Sequence, residues 1–323
     1  MKRRHFTQSL ISAAAGAALL AGFATSAQAQ GLSNRPIRIV VPFGAGGVAD
    51  VTARVVAQQL STQLGQPVVI DNKPSAGGIV AADTVAKSAP DGHTLFLMSN
   101  GSAVTVNLFN HLPFDMVKDL TPISTLGYFD IGVITDAKSP FKNFGELVSY
   151  AKANPGKLNL GSTQHLAAEL FKTTAGIDAQ IVPFNGTPAV VTALRGKQID
   201  AAVEILTPIM GQINSKAVNL LAVTGEKRSP LLPNVPTAQE SGVKGFVASS
   251  WNALAAPSKT PADVIARLNK EINAAVNNPE VAKKLKELNV QAQASTPEQT
   301  AKLLQSEIKR WGDVITASKI PKQ

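Results

Sequence analysis

The segment RIVVPFGAGGVADVTARVVAQQL, which runs from Arg38 to Leu60, constrains the fold more than any other part of the chain. Its apolar start predicts a β-strand over Ile37–Val41, and its amphipathic end predicts a helix over Val51–Leu64. The first N–H groups of a helix have no intrahelical partners, and the helix dipole adds partial positive charge there. Glycines before the helix let a bound group approach the main chain. The segment therefore predicts an α/β fold with an anion site made by unpaired N–H groups near Gly46.

The same alternation of apolar runs and amphipathic stretches continues along the chain and predicts parallel sheets covered on both faces. The further strands are predicted at Val68–Ile70, Thr94–Met98, Leu158–Leu160, Gln180–Pro183, Ala201–Ile205, Leu220–Val223 and Ala253–Ala256. Asn143 with Glu146 predicts a helix start, and three C-terminal helices are predicted after Thr260, Asn278 and Thr296. The segment 225–245 contains three prolines and predicts an extended connection.

The first 29 residues have the character of a signal peptide. Lys2, Arg3 and Arg4 precede an apolar run over Leu10–Ala24, and Ala27-Gln28-Ala29 is an A-x-A cleavage motif. The Arg3-Arg4 pair leaves ordinary secretion and twin-arginine export both open. We therefore expect a periplasmic mature chain beginning near residue 30.

Composition excludes several classes of protein. The chain has no cysteine, so it has neither disulfides nor thiol chemistry. The formal net charge is +9, which favours anionic solutes. Aromatic residues make up only 5% of the chain, and the basic residues are dispersed, so we expect no nucleic-acid partner.

The number of predicted strands is too large for one small domain. We therefore predict two α/β lobes in the mature chain. The first lobe is discontinuous and comprises residues 30–130 and 250–323, and the second comprises residues 131–249. Open parallel sheets bind ligands at the carboxyl ends of their strands, so the loops at those ends are candidate binding loops.

Four strand-end loops besides the first carry small or hydroxylic residues, which either bind a ligand or cap the helices that follow. They are Ser75–Gly78, Ser99–Ser102, Gly161–His165 and Phe184–Thr187. Glu204 ends an apolar strand, where it faces either a ligand or solvent. Asp50 stabilises the first helical turn, accepts a hydrogen bond from a ligand, or does both.

The glycine loop also supports a second interpretation. Gly44 to Ala49 fits the pattern G-x-G-x-x-A, and Asp71 follows the next strand, as in a dinucleotide site. Export, Pro42 between the strand and the glycines, and the lack of hydride-transfer residues argue against a dinucleotide. Asp71 is alternatively a turn residue in the segment Asp71–Pro74.

The chain resembles the solute-binding receptors of tripartite tricarboxylate transporters, the TctC or Bug type. The resemblance covers the mature chain and includes RPIRIVVPFGAGGVADVTAR, LGQPVVIDNKPSAGG, VAKSAPDGHTL, YAKANPGKLN, LLAVTGEKRSPLLPNVPTAQESG and SSWNALAAP. It implies a two-lobed periplasmic-binding-protein fold of type II-like architecture, with a hinge and an interdomain cleft that closes on a small carboxylate. It implies delivery of that solute to membrane permease subunits, a monomeric receptor, no enzymatic activity and neither cofactor nor metal.

The resemblance also transfers the family's ligand loops to this sequence. The first loop falls on Pro42 to Asp50, the Gly-Gly loop on Gly77 and Gly78, and the aromatic loop on Pro183 to Gly186, while Glu204 replaces a typical aspartate. Together with the strand-end loops, the predicted ligand-binding residues are Pro42, Phe43, Gly44, Ala45, Gly46, Gly47, Val48, Asp50, Gly77, Gly78, Asn100, Gly101, Ser102, Ser162, Thr163, Gln164, His165, Phe184, Gly186, Thr187, Glu204 and Trp251.

Two departures from the family pattern bear on the ligand. The loop from Leu160 to His165 is about five residues shorter than is usual in the family, and Val48-Ala49 replaces a hydroxylic pair. Both changes remove donors, so either the protein accepts a different or bulkier solute, or its binding is weaker. Three functions stay open: a solute receptor for import, a dinucleotide-dependent oxidoreductase, and a ligand sensor that feeds a signalling protein.

Overall fold

The computed structural model describes residues 34–184 and 186–323, which form ten α-helices and ten β-strands. The predicted signal peptide, residues 1–29, lies outside the described residues. The strands are β1 Ile37–Val41, β2 Val68–Asn72, β3 Thr94–Ser99, β4 Leu120–Asp136, β5 Leu158–Ser162, β6 Ala179–Pro183, β7 Ala201–Ile205, β8 Val218–Val223, β9 Ser249–Pro257 and β10 Gln291–Ala292. The helices are α1 Val48–Leu64, α2 Ile79–Ala86, α3 Asn100–Leu108, α4 Phe144–Ala153, α5 His165–Ala175, α6 Thr187–Arg195, α7 Met210–Asn214, α8 Ala262–Val276, α9 Pro279–Glu287 and α10 Pro297–Ala317.

The strands belong to two groups that share β4. In the first group β1 pairs in parallel with β2 and β3, and β9 lies antiparallel between β3 and the Leu120–Asp130 part of β4. In the second group β5 pairs in parallel with β6 and β7. The Ile131–Asp136 part of β4 pairs antiparallel with β7 and β8. The polypeptide therefore passes from one group to the other within a single strand, between Asp130 and Ile131.

The expectation of parallel sheets was right for the βαβ units and wrong for β8 and β9, which pair antiparallel. The strands β4 and β10, which were not predicted, also pair antiparallel. Sequence reading missed the 17-residue β4 because Pro122 interrupts its apolar pattern. The register of β4 against β9 shifts between Pro122 and Ser124. A proline cannot donate to a β-ladder, and such an irregularity accommodates it.

Thr224 hydrogen-bonds to both places where the chain crosses between the strand groups, at Ile131 and at Ala248. Its N–H donates to the Ile131 carbonyl at 2.9 Å, and its carbonyl accepts from the Ala248 N–H at 2.8 Å. Its buried hydroxyl lies 3.1 Å from the Ile131 carbonyl and 2.5 Å from the Ala248 carbonyl. The segment 225–245, expected to be extended, instead folds into turns, and Thr237 bridges back to Val223.

Side chains cap the starts of four of the described helices, α3, α4, α9 and α10, whereas Thr260 does not cap α8, which begins at Ala262. Asn143 caps α4 by accepting from the Glu146 N–H, and Thr296 with Gln299 forms a capping box at α10. The C-terminal helix α10 packs against α3 and β4, and Trp311 is buried there. None of the helices within residues 34–184 and 186–323 combines the length and apolar character needed to span a bilayer.

Candidate ligand-binding site

A cleft of about 860 Å³ is lined by elements from both strand groups. Four helices begin at its wall, because the first residues of α1, α3, α5 and α6 all line it: Val48, Asn100, His165 and Thr187. Each of these helices follows a parallel strand, so their N-termini gather at the carboxyl ends of the strands. The cleft therefore receives the partial positive charge of four helix dipoles.

No lysine or arginine is among the described residues that line this cleft. His165 is the titratable residue in the lining, and its Nε2 lies 3.8 Å from Glu169 Oε1. The remaining wall is largely apolar. It includes Phe43, Val104, Leu108, Phe129, Leu166, Ile205, Pro208, Leu288 and Trp311. Attraction for an anion must therefore come from main-chain N–H groups and polar neutral side chains.

The glycine loop before α1 is braced by a buried carboxylate. The Gly46 N–H donates to Asp50 Oδ2 at 2.9 Å, so this amide is paired, contrary to the expectation from the sequence. Asn72 donates from Nδ2 to Asp50 Oδ1 at 2.9 Å and to the Phe43 carbonyl at 3.0 Å. Among the described residues no side chain caps α1 at Gly47, and the first-turn residues Val48 and Ala49, whose N–H groups have no intrahelical acceptor, line the cleft.

Asp50 itself does not line the cleft, and its side chain is 2% exposed. Burial raises its pKa, but hydrogen bonds from Arg54, Gly46 and Asn72 outweigh burial and leave the pKa of Asp50 below its usual value. The Arg54 Nε donates to Asp50 Oδ2 at 2.9 Å. Asp50 is therefore an ionised brace for the loop, and Arg54 offsets its charge.

A second buried carboxylate braces the opposite loops. Glu204 is fully buried at the end of β7, so its interpretation as a solvated strand end was wrong. Its oxygens accept from the Thr163 N–H and, at 2.9 Å each, from the hydroxyls of Thr163 and Thr187. Burial raises the pKa of Glu204, and these hydrogen bonds compensate only in part. Glu204 thus joins the starts of α5 and α6 from behind the cleft wall.

Eleven of the residues predicted from the sequence line the cleft. They are Phe43, Gly46, Gly47, Val48, Asn100, Gly101, Thr163, Gln164, His165, Gly186 and Thr187. The others lie outside the lining: Pro42, Gly44, Ala45, Asp50, Gly77, Gly78, Ser102, Ser162, Phe184, Glu204 and Trp251.

Several residues outside the lining have evident structural roles. A side chain at Gly78 would lie 2.8 Å from Pro42 Cβ, so this glycine allows α2 to pack beneath the first loop. Ser162 accepts from the Gln164 N–H at 2.7 Å, and Ser102 accepts from the Ser99 N–H at 3.1 Å. These serines shape their loops through local hydrogen bonds.

Trp251 belongs to the hydrophobic core, whereas its neighbours Ser250 and Asn252 line the cleft. Side chains alternate between the two faces of a strand, which explains this separation. Sequence reasoning missed Ser250 and Asn252, and it also missed Thr207 and Pro208 after β7. The signal that could have found Asn252 is a polar residue at alternate spacing from Ser250 within an otherwise apolar strand.

Asp71, the candidate ribose partner of a dinucleotide, does not line the cleft. Its Oδ2 lies 3.5 Å from Arg38 Nη1 and 3.9 Å from Lys73 Nζ. The carboxylate is therefore engaged in surface ion pairs on β2 and its exit loop.

Comparison with known proteins shows the family of this chain. The family model described as the tripartite tricarboxylate transporter family receptor, TctC, matches residues 52–320. The chain is 37% identical to the protein BugT of Bordetella pertussis over 302 residues, which cover 91% of this chain and 93% of BugT.

Two solved structures from Rhodopseudomonas palustris are similar over almost their whole length. Rpa4515 with adipate has a TM-score of 0.78 and 31% identity, covering 90% of this chain and 99% of that one. MatC (Rpa3494) with bound malate has a TM-score of 0.72 and 32% identity, covering 87% and 99%. This protein therefore has the two-lobed periplasmic-binding-protein fold and belongs to the TctC receptor family, which includes the Bug proteins.

Proposed function

We propose that this protein is an extracytoplasmic receptor that captures a small carboxylate in the cleft and delivers it to the permease of a tripartite tricarboxylate-type transporter. The observation that carries the proposal is the meeting of four helix N-termini at a cleft whose described lining contains no lysine or arginine. Helix ends bind carboxylates through main-chain N–H groups without requiring a cationic side chain.

The energetics indicate why several loops are needed. One helix end contributes ~0.3–1 kcal/mol to holding a negative charge, and up to ~2 kcal/mol when partly buried. A micromolar Kd corresponds to about 8 kcal/mol. One loop cannot supply this free energy, whereas several ends and the burial of apolar surface in the cleft together can.

Closure of two lobes would bring these elements onto the ligand. The proposed lobes are residues 30–130 with 250–323 and residues 131–249. The change of strand group between Asp130 and Ile131, and the return of the chain at Ser249, support this division. The hydrogen bonds of Thr224 to Ile131 and Ala248 would lie at the hinge.

The relatives support the ligand class and the location. The adipate and malate bound to the two R. palustris proteins are both carboxylates, and the similar structure of BugD is that of a periplasmic binding protein. We therefore propose a monomeric periplasmic receptor without enzymatic activity, exported by residues 1–29. A sensor would use the same closure. Deleting the gene for the cognate permease should abolish uptake in the case of import, and leave a transcriptional response intact in the case of sensing.

The dinucleotide hypothesis finds no support at Asp71, whose carboxylate is held by Arg38 and Lys73 away from the cleft. Titration with NADH and NADPH, followed by the fluorescence of the reduced nicotinamide, tests it directly. Saturable binding of either cofactor would contradict the receptor proposal.

The main experiment measures thermal stability and small-angle scattering of the purified protein with a panel of carboxylates. We expect at least one acid to raise the Tm and to reduce the radius of gyration. Native mass spectrometry of the freshly purified protein would identify a retained solute. Absence of any shift across mono-, di- and tricarboxylates would overturn the proposal.

A further inference from the structure

Asn252 is a buried amide at the cleft wall with neither of its polar atoms satisfied. Its side chain is 0% exposed, and both Oδ1 and Nδ2 lack a hydrogen-bond partner among the described residues. Asn252 lines the cleft together with Ser250 on the same face of β9. A buried polar group without a partner costs about 1–3 kcal/mol, so its presence in a strand of small apolar residues needs a reason.

Asn100 presents a second unsatisfied atom close by in the fold. It is 9% exposed, lines the cleft, and its Oδ1 has no partner among the described residues. The antiparallel register aligns Ser99 of β3 with Asn252 of β9, and Asn100 follows Ser99 directly. Asn252 therefore lies on β9, and Asn100 begins α3 directly after the adjacent strand β3, at one end of the first strand group.

The unsatisfied atoms define the chemistry that fits them. An oxygen acceptor at Asn100 requires an O–H or N–H donor, and Asn252 requires both a donor and an acceptor. A carboxylate is acceptor-only and an ammonium group is donor-only, so neither satisfies Asn252. A hydroxyl or a carboxamide offers both to Asn252 and is neutral, which suits a described lining without lysine, arginine or carboxylate side chains, and the second N–H of a carboxamide can also donate to Asn100.

We propose that Asn252 and Asn100 are specificity-determining residues that select a carboxylate bearing a second, neutral hydroxyl or carboxamide group. The helix ends would hold the carboxylate, and the two amides would read the neutral group. This inference rests on the proposed receptor function and deepens it.

The test compares matched acids of four and six carbons by calorimetry on the purified protein. Butanoate, 4-hydroxybutanoate, succinamate and succinate form one set, and hexanoate, 6-hydroxyhexanoate, adipamate and adipate form the other. Benzoate and 4-hydroxybenzoate extend the test to rings. In at least one set we expect the hydroxyl or carboxamide acid to bind about tenfold or more tighter than the plain acid, because loss of a partner leaves buried polar groups unpaired.

Variants assign this preference to the amides. In Asn252→Leu the preference should fall to about threefold or less, and the Tm of the ligand-free protein should rise because an unsatisfied buried amide has been removed. Asn252→Asp keeps the shape but offers only acceptors when ionised, so it leaves the oxygen of the ligand's neutral group without a donor and should weaken binding of the carboxamide and hydroxyl acids. Asn100→Ala should reduce the preference less than either change at Asn252.

Thr135→Val is the matched control. Thr135 is fully buried in β4, its hydroxyl also lacks a partner among the described residues, and it does not line the cleft. This variant should keep the wild-type ratio of affinities. Equal binding of hydroxylated and plain acids, or an unchanged ratio in folded Asn252 and Asn100 variants, would overturn this inference and leave the receptor function standing. Binding of none of the acids to the wild type would overturn both.

Discussion

On each side of the cleft a buried carboxylate accepts a main-chain N–H of a loop that precedes a helix, but the two carboxyl pKa values shift in opposite directions. On one side Asp50 accepts from the Gly46 N–H, and on the other Glu204 accepts from the Thr163 N–H. Asp50 has Arg54 as a partner, which helps to lower its pKa. Glu204 accepts from two threonine hydroxyls and from no cationic side chain of the described residues, and burial raises its pKa.

This difference shows two ways in which a carboxylate can lie behind the proposed anion site. A negative charge near the ligand opposes binding unless a cation offsets it or a proton removes it. On the first side Arg54 is the cation that offsets Asp50, whereas on the second side the raised pKa of Glu204 favours its protonated form. The two loops should therefore respond differently to pH and to removal of the carboxylate.

The largest effect is expected from Gly46→Val on the first side. Gly46 has φ of 84° and lines the cleft, so a β-branched side chain would strain the loop and occupy the cleft. Affinity for a bound acid should fall about 100-fold, or ~2.8 kcal/mol. Gly65→Val is the control, because Gly65 has φ of 64° and also has open space around its Cβ position, but it lies at the far end of α1. Equal affinity in the two variants would contradict a role for the loop in binding.

Asp50→Asn should cost stability on the first side. The amide cannot accept all three donors that the carboxylate accepts, so the free energy of unfolding at pH 7 should fall by about 1–3 kcal/mol. A carboxyl with a lowered pKa stabilises the native state above its unfolded pKa and loses this contribution as pH falls through the native pKa. The difference between variant and wild type, measured by urea unfolding, should therefore shrink below pH 4. A constant difference from pH 7 to pH 3 would exclude this ionised brace.

Thr187→Val removes one hydroxyl donor from Glu204 on the second side. The cost in unfolding free energy should be about 1 kcal/mol. Affinity should fall several-fold, because Thr187 begins α6 at the cleft. Thr192→Val is the control on the same helix, since its hydroxyl bonds to the exposed Pro188 turn outside the cleft. A larger loss of affinity in Thr192→Val would contradict the assignment.

Of these variants, Glu204→Gln should change the free energy of unfolding least at pH 5. At higher pH it should raise the free energy of unfolding, whereas Asp50→Asn and Thr187→Val lower it. A carboxyl with a raised pKa contributes stability below its unfolded pKa and loses it as pH rises through the native pKa. The variant should therefore become more stable than the wild type as pH rises to 8. Affinity for a carboxylate should also decline with pH in the wild type and much less in the variant. Parallel pH profiles for the two proteins would show that Glu204 is not the titrating group.

Much of the fold was predictable because its signals are local. Capping residues such as Asn143 and Thr296 and the strand–glycine–helix segment depend on neighbours within a few residues. The long β4 and the antiparallel β9 were not predictable in the same way. Their pairing depends on residues more than 100 positions apart, as between Tyr128 and Trp251.

The sequence predicted which loops form the site, but it did not predict which of their side chains face the cleft. The sequence located the glycine loop and the starts of α3, α5 and α6, since strand-end loops share one edge of a parallel sheet. It did not separate Trp251 in the core from Asn252 at the cleft. That distinction depends on which face of β9 meets the helices.

By itself the sequence determined where strands end, where helices begin and which loops carry glycine or hydroxylic residues, because short-range sterics and hydrogen bonding set these features. Only the tertiary structure decided that the Gly46 amide is taken by Asp50, that Glu204 is buried between two loops, and that Asn252 faces the cleft. The physical reason is that hydrogen-bond partners and burial depend on distant segments packed together, and a local pattern does not specify them.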